Sequence, residues 1–353
     1  MKILMLVNWK IEYCSEIPKD RQPPDYYLTG EPYWFYRYFI ESVDIDVIDI
    51  HSFKWLENFE KNILRFYVIQ ALKAIPKFKQ YDLIVSHGMQ SGVLVSLSRR
   101  IFKTKAKHIV FDIGSFASAS ESGFALKLMQ FASKSIDGVI YHTSSQIDYY
   151  KKKFPWIVDK SKFIRFGTDL DFFDAETLKR GKDADSYMIC VGYSKRDWDT
   201  VVKAYQQMKT NVKLRLVGYV DKKYEGIKGI EQVPFVNIKQ LINQIHNAKF
   251  CILPLKSYNY SFGQMTLMQQ MALGKCVIAA RVPSLMDYIE DRKTAITYES
   301  LNVKELQNVL NDILNNENYM RNIEENAKQF LLLECNEKIM AKEVEGFFRL
   351  FIE

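Results

Sequence analysis

The chain has 353 residues, 48% apolar and 26% charged, with 23 Phe, 21 Tyr and 5 Trp. This composition excludes a disordered, collagenous or coiled-coil chain and supplies bulk for two or three domain cores. The formal charge of +7 is lopsided: residues 1–170 carry 24 Lys and Arg against 18 Asp and Glu, and residues 59–107 carry ten against two, so the first half faces something anionic.

Short runs rich in Ile and Val predict strands at 2–7, 46–50, 83–86, 108–112, 138–141 and 162–165. A second series is predicted at 187–191, 213–217, 230–233, 250–253, 276–279 and 295–298. Near-continuous apolar runs are strands buried on both faces, and their alternation with helical patterns predicts doubly wound parallel sheets. The run 2–7 is too short for a signal peptide and reads as the first buried strand. The aromatic run 33–39 reads as helix core. The stretch 59–79 predicts a helix with Lys61, Arg65, Lys73, Lys77 and Lys79 outside, either simply solvated or facing anionic lipid, with Arg99, Arg100, Lys103, Lys105 and Lys107 extending the patch.

The polar stretch 175–186 reads as a linker between a domain of residues 1–174 and one of 187–337. Residues 338–353 form an amphipathic helix whose Phe347, Phe348, Leu350 and Phe351 need an apolar partner, and it is expected to return to the first domain. Cys14, Cys190, Cys251, Cys276 and Cys335 form no CxxC pair, so no zinc site or disulfide framework is expected and a reducing cytosol fits. No apolar run reaches the length of a membrane span.

Residues 250–281 carry the most specific pattern. A buried strand ends at Pro254. A polar, aromatic loop follows with Ser257, Tyr258, Asn259, Tyr260 and Ser261. Gly263 then opens a helix that stops at Gly274. A helix N-terminus behind a strand and loop is an anion site, because its first N–H groups are unpaired and the dipole end is positive.

These residues resemble the family 4-like glycosyltransferases, group 1, of the GT-B fold. The resemblance is carried by Ser261-Phe262-Gly263-Gln264, by Gln269 to Lys275, and by Val277-Ile278. It is extended by Val191 to Asp197, by Ile164 to Asp169 before the linker, and by Asp82 to Gly88. It implies two Rossmann-like domains facing across a cleft, with the C-terminal helix crossing back. It also implies transfer of a sugar from a nucleotide-diphosphate sugar, UDP-sugar before GDP-sugar, to a glycan or lipid-linked acceptor. Metal independence, no cofactor and retention at the anomeric carbon are further implications. Donor-binding residues would be Gly192, Lys195, Arg196, Ser261, Phe262, Gly263, Gln264, Thr266 and Gln269. Asp112 and His87 would be the catalytic-side cleft residues, Asp112 positioning the sugar.

The sequence departs from the family where paired glutamates stand eight residues apart; here Ser261 and Gln269 take those places. Asp112 also fits a structural acid at a strand end, and His87 a structural histidine. Asp169-Leu170-Asp171 has metal-binding spacing but sits at the approach to the linker. Alternatives are an inactive GT-B homologue acting as a scaffold, a Rossmann oxidoreductase and a nucleic-acid binder. Against the second, Val7-Asn8-Trp9-Lys10 stands where G-x-G-x-x-G would be. Against the third, no zinc-finger or RNP pattern occurs. A cytoplasmic protein, peripheral on the cytoplasmic membrane face, is expected.

Overall fold

The computed structural model describes residues 1–18, 20–102, 104–116, 122–258 and 260–352, so Lys103 and Asn259 lie outside the described residues. In chain order the strands are β1 (Lys2–Leu6), β2 (Glu12–Cys14), β3 (Tyr26–Leu28), β4 (Asp44–Ile48), β5 (Leu83–His87), β6 (Lys107–Asp112), β7 (Gly138–Tyr141) and β8 (Ser161–Phe163). The second half contributes β9 (Tyr187–Val191), β10 (Lys213–Val217), β11 (Ile230–Val233), β12 (Cys251–Leu253), β13 (Val277–Arg281) and β14 (Ile296–Glu299).

Twelve of them form two six-stranded parallel sheets, ordered β4-β1-β5-β6-β7-β8 and β11-β10-β9-β12-β13-β14. The central strands are buried on both faces, as their unbroken apolar runs require. Each order reverses once, between β1 and β5 in the first sheet and between β9 and β12 in the second. In open α/β sheets ligands bind beyond the carboxyl ends of the strands at such switch points.

The helix Glu337–Arg349 packs Met340, Ala341, Val344, Phe347 and Phe348 into one apolar cluster with Ile3, Val85 and Phe111 of the first sheet. Two regions differ from the sequence reading. The segment 59–79 is not one helix. It breaks into Lys54–Phe59, a π turn at Glu60–Leu64 ended by Arg65 at φ 62°, the helix Val68–Ala74 and a 3-10 turn containing Pro76. Between β1 and β4 the chain makes an excursion that pairs β2 with β3 and ends in the 3-10 helix Trp34–Tyr38, with Trp34, Phe35 and Tyr36 buried.

Candidate donor site and cleft

Gly192 follows β9 and begins the loop that ends at the helix Trp198–Gln206. Its φ is +132°, and a Cβ there would lie 2.7 Å from Arg196 Nε, so glycine is what lets the arginine fold back beneath the loop. Arg196 is 9% exposed. Its Nε donates to the Val191 carbonyl at 2.9 Å and its Nη2 to Thr266 Oγ1 at 3.1 Å. Burial lowers its pKa to about 10, which leaves it cationic at neutral pH. The loop after β12 lies alongside: Arg196 bridges to Leu255, and Asp197 N donates to the Pro254 carbonyl at 2.8 Å.

That second loop ends at Gly263, whose φ of +88° turns the chain into the helix Gln264–Ala272. Lys195 sits above it in the left-handed region at φ 57°. Its ammonium donates to Tyr260 Oη at 2.5 Å and lies 4.3 Å from the Tyr260 ring centroid, 4.7 Å from Phe262 and 5.2 Å from Tyr258. Such an aromatic cage holds a cation without neutralising it. Gly192, Lys195, Arg196, Phe262, Gly263 and Thr266 are thus brought together at the switch point of the second sheet. Ser261 is half-buried on the same loop.

The remaining donor-side residues face the first half of the chain. Gln264 is buried and its Nε2 donates to Thr143 Oγ1 at 2.8 Å; Gln269 Nε2 donates to Gln22 Oε1 at 3.3 Å. Tyr260 packs against Gly114. The two sheets therefore present their carboxyl ends to a shared cleft.

On the first sheet, His87 ends β5 and His142 follows β7. Desolvation holds the His87 pKa down to about 3, with His142 adding to it, and burial holds His142 down to about 4. Both rings are neutral at physiological pH. His142 Nδ1 donates to the Ile164 carbonyl at 2.8 Å, which leaves Nε2 as the acceptor. That Nε2 and His87 Nδ1 have no partner among the described residues.

Asp112 lies between them at the end of β6. Its Oδ1 accepts from the backbone N–H groups of Gly114, Ser115 and Phe116 and from Ser115 Oγ. Its Oδ2 accepts from Gln146 Nε2 at 2.9 Å and Tyr150 Oη at 2.5 Å. The carboxylate is wholly buried, and these bonds shape the loop after β6 that carries Gly114. Asp169 is likewise occupied. It pairs with Arg37 at 2.8 Å and its Oδ1 caps Asp171 and Phe172 N–H groups.

Sequence reasoning missed His142 and Thr143, and it named Tyr260 in the loop without giving it a role. His142 and Thr143 follow the strand run 138–141 directly, and that position is a signal by itself. Among the described residues no group of three His, Cys, Asp or Glu side chains could hold a metal ion.

Residues 171–330 match the family model of glycosyl transferases group 1. That segment is similar to the glycosyl transferases group 1 domain. No curated protein sequence matches it. Among solved structures, HepE from Anabaena in complex with UDP is similar at 13% identity, with 99% of this chain and 100% of that chain covered and a TM-score of 0.71. Sucrose-phosphate synthase from Thermosynechococcus elongatus is similar at 17% identity, 99% of each chain and 0.71. A glycosyltransferase from Rickettsia africae is similar at 14% identity, 100% and 98% coverage, and 0.70. At these identities the likeness is one of fold. The fold is GT-B, and the expectation of a GT-B glycosyltransferase stands.

Proposed function

We propose that this glycosyltransferase moves a sugar from a UDP-sugar onto a glycan or lipid-linked acceptor, without metal and with retention at the anomeric carbon. The observation that carries the reading is the cationic pair at the second switch point: Lys195 in its aromatic cage and buried Arg196 beside the N-terminus of Gln264–Ala272. A departing nucleoside diphosphate gains negative charge, and preorganised cations with unpaired helix N–H groups stabilise it as it forms. The choice of UDP draws on HepE, whose structures include complexes with UDP and with UDP-glucose. The neutral histidines His87 and His142 supply hydrogen-bonding nitrogens for a sugar held between the sheets.

A lipid-linked acceptor suits the outer surface of the segment 53–79. Phe53, Trp55 and Ile63 are 73%, 70% and 68% exposed, interleaved with exposed Lys54, Lys61 and Arg65 and followed by Lys73 and Lys77. An anionic membrane face attracts basic groups at about 1 kcal/mol each, and aromatic side chains anchor at its interface.

The test is calorimetric titration with UDP, GDP and ADP, followed by a UDP-sugar hydrolysis and transfer assay in the presence of EDTA. UDP is expected to bind, and Arg196→Ala to weaken it by about 1.5–3 kcal/mol, the size of a charge-assisted hydrogen bond. Tight binding with no turnover of any UDP-sugar would favour the inactive scaffold. Equal UDP affinity in the variant would remove Arg196 from the site.

A further inference from the structure

We propose that the excursion between β1 and β4 forms a binding pocket for a neutral, hydroxyl-rich sugar, the end of the acceptor that receives the transferred unit. This deepens the glycosyltransferase reading and rests on it. The excursion encloses a cavity of about 310 Å³, of the size that holds a small ligand. Tyr26, Leu28, Pro23 and Trp34 supply apolar and aromatic faces, and Glu31 and Arg37 the charged groups.

Three observations point to a ligand of this chemistry. The first is place. The excursion grows from the carboxyl end of β1, at the switch point of the first sheet. Trp34, in the lining, lies 6.2 Å from the His87 ring, and Trp9 lies 4.5 Å from it at 83°. Pro23, also in the lining, follows Gln22, which reaches Gln269 of the donor-side helix. The pocket therefore borders the cleft where the donor reading puts the reacting carbon.

The second is backbone strain. Trp34 has φ 51°, a conformation a bulky residue adopts only where its surroundings impose it, and such strain gathers at binding sites. The Trp34 indole is also held, its N–H donating to Glu337 at 2.8 Å.

The third is charge. The lining cation, Arg37, is already paired with Asp169 at 2.8 Å and Glu337 at 3.1 Å. Glu31 is exposed and in no ion pair among the described residues. The pocket thus offers a carboxylate to accept from hydroxyls, and the half-buried Tyr26 beside aromatic and apolar faces. An anionic sugar would meet an unpaired carboxylate and a neutralised arginine.

The experiment follows intrinsic tryptophan fluorescence while maltose, cellobiose and lactose, and glucuronate as the anionic comparison, are titrated into the UDP-loaded protein. At least one neutral sugar is expected to bind and to bind more tightly than glucuronate. Tyr26→Ala is expected to weaken it at least fivefold with UDP affinity unchanged. Glu31→Gln, on the surface and without a structural partner, serves as the second variant and is expected to weaken it at least twofold. A protein that binds UDP but none of the neutral sugars overturns the pocket while the donor reading survives. So does a preference for glucuronate, or unchanged sugar affinity in both variants. Failure of UDP to bind, with neutral sugars still held through Tyr26, would instead overturn the transfer reading and leave the pocket standing.

Discussion

At the scale of single residues, Asp112 shows how a strand-end acid can be visible in sequence and its task invisible. Its position at the cleft follows from the run 108–112. Its partners Gln146 and Tyr150 stand 34 and 38 residues further on, brought in by the helix Gln146–Lys153, and no local pattern announces them. Replacing Asp112 with Asn puts an amide where an oxygen now accepts from donors on both sides, so one buried donor loses its partner. Urea unfolding is expected to show a loss of about 1–3 kcal/mol, the penalty for one unsatisfied buried group. UDP affinity is expected to stay at the wild-type value, because the hydrogen-bond partners of the side chain all lie in the first half of the chain. A variant of normal stability with weakened donor binding would place Asp112 in the donor site. Gly192, by contrast, was legible from its place after a strand, since no other residue takes φ +132° against a folded-back arginine.

At the scale of elements, all twelve strands of the two large sheets lie where the sequence places them; the central ones, buried on both faces, leave an unbroken apolar signal, and the edge strands β4, β8 and β11, only partly buried, a weaker one. The excursion's β2 and β3 were not legible. They have three residues each, none fully buried, so neither alternation nor an apolar run marks them. The segment 53–79 misled for a different reason. Its spacing is helical, but Arg65 in the left-handed region and Pro76 divide it, and the pieces turn apolar residues outward as well as basic ones. That outward mixture makes a prediction. In co-sedimentation with phosphatidylglycerol vesicles, Lys73→Glu combined with Lys77→Glu is expected to weaken binding at least tenfold, since about 1 kcal/mol is lost for each basic group removed. Trp55→Ser is expected to weaken binding at high salt too, where the charge contribution is screened. Wild-type protein that ignores anionic vesicles would leave the segment merely solvated.

At the scale of the whole molecule, the two halves are fastened where the chain crosses between them. Thr168 N donates to the Cys335 carbonyl at 3.2 Å, and Glu337 N to the Thr168 carbonyl at 3.1 Å. Tyr288 adds a second tie, its Oη accepting from Phe166 N and donating to the His142 carbonyl. Beside the crossing, Arg37 of the first half holds Asp169 and Glu337 together. One guanidinium for two carboxylates is an incomplete match. Burial, with Asp169 adding to it, pushes Glu337 up to about 7 from its ordinary 4.5. The sign of the pH effect follows. Between those values the folded chain keeps a proton that the unfolded chain has released, so the contribution of Glu337 to stability falls as pH rises from about 4.5 to about 7 and is level above that. Glu337→Gln keeps the acceptor for Trp34 and cannot ionise. Its melting temperature relative to wild type is therefore expected to climb between pH 5 and pH 8, read by differential scanning fluorimetry in buffers of equal ionic strength. A difference that does not change with pH would mean that Glu337 is ionised throughout and that Arg37 satisfies both carboxylates at the crossing.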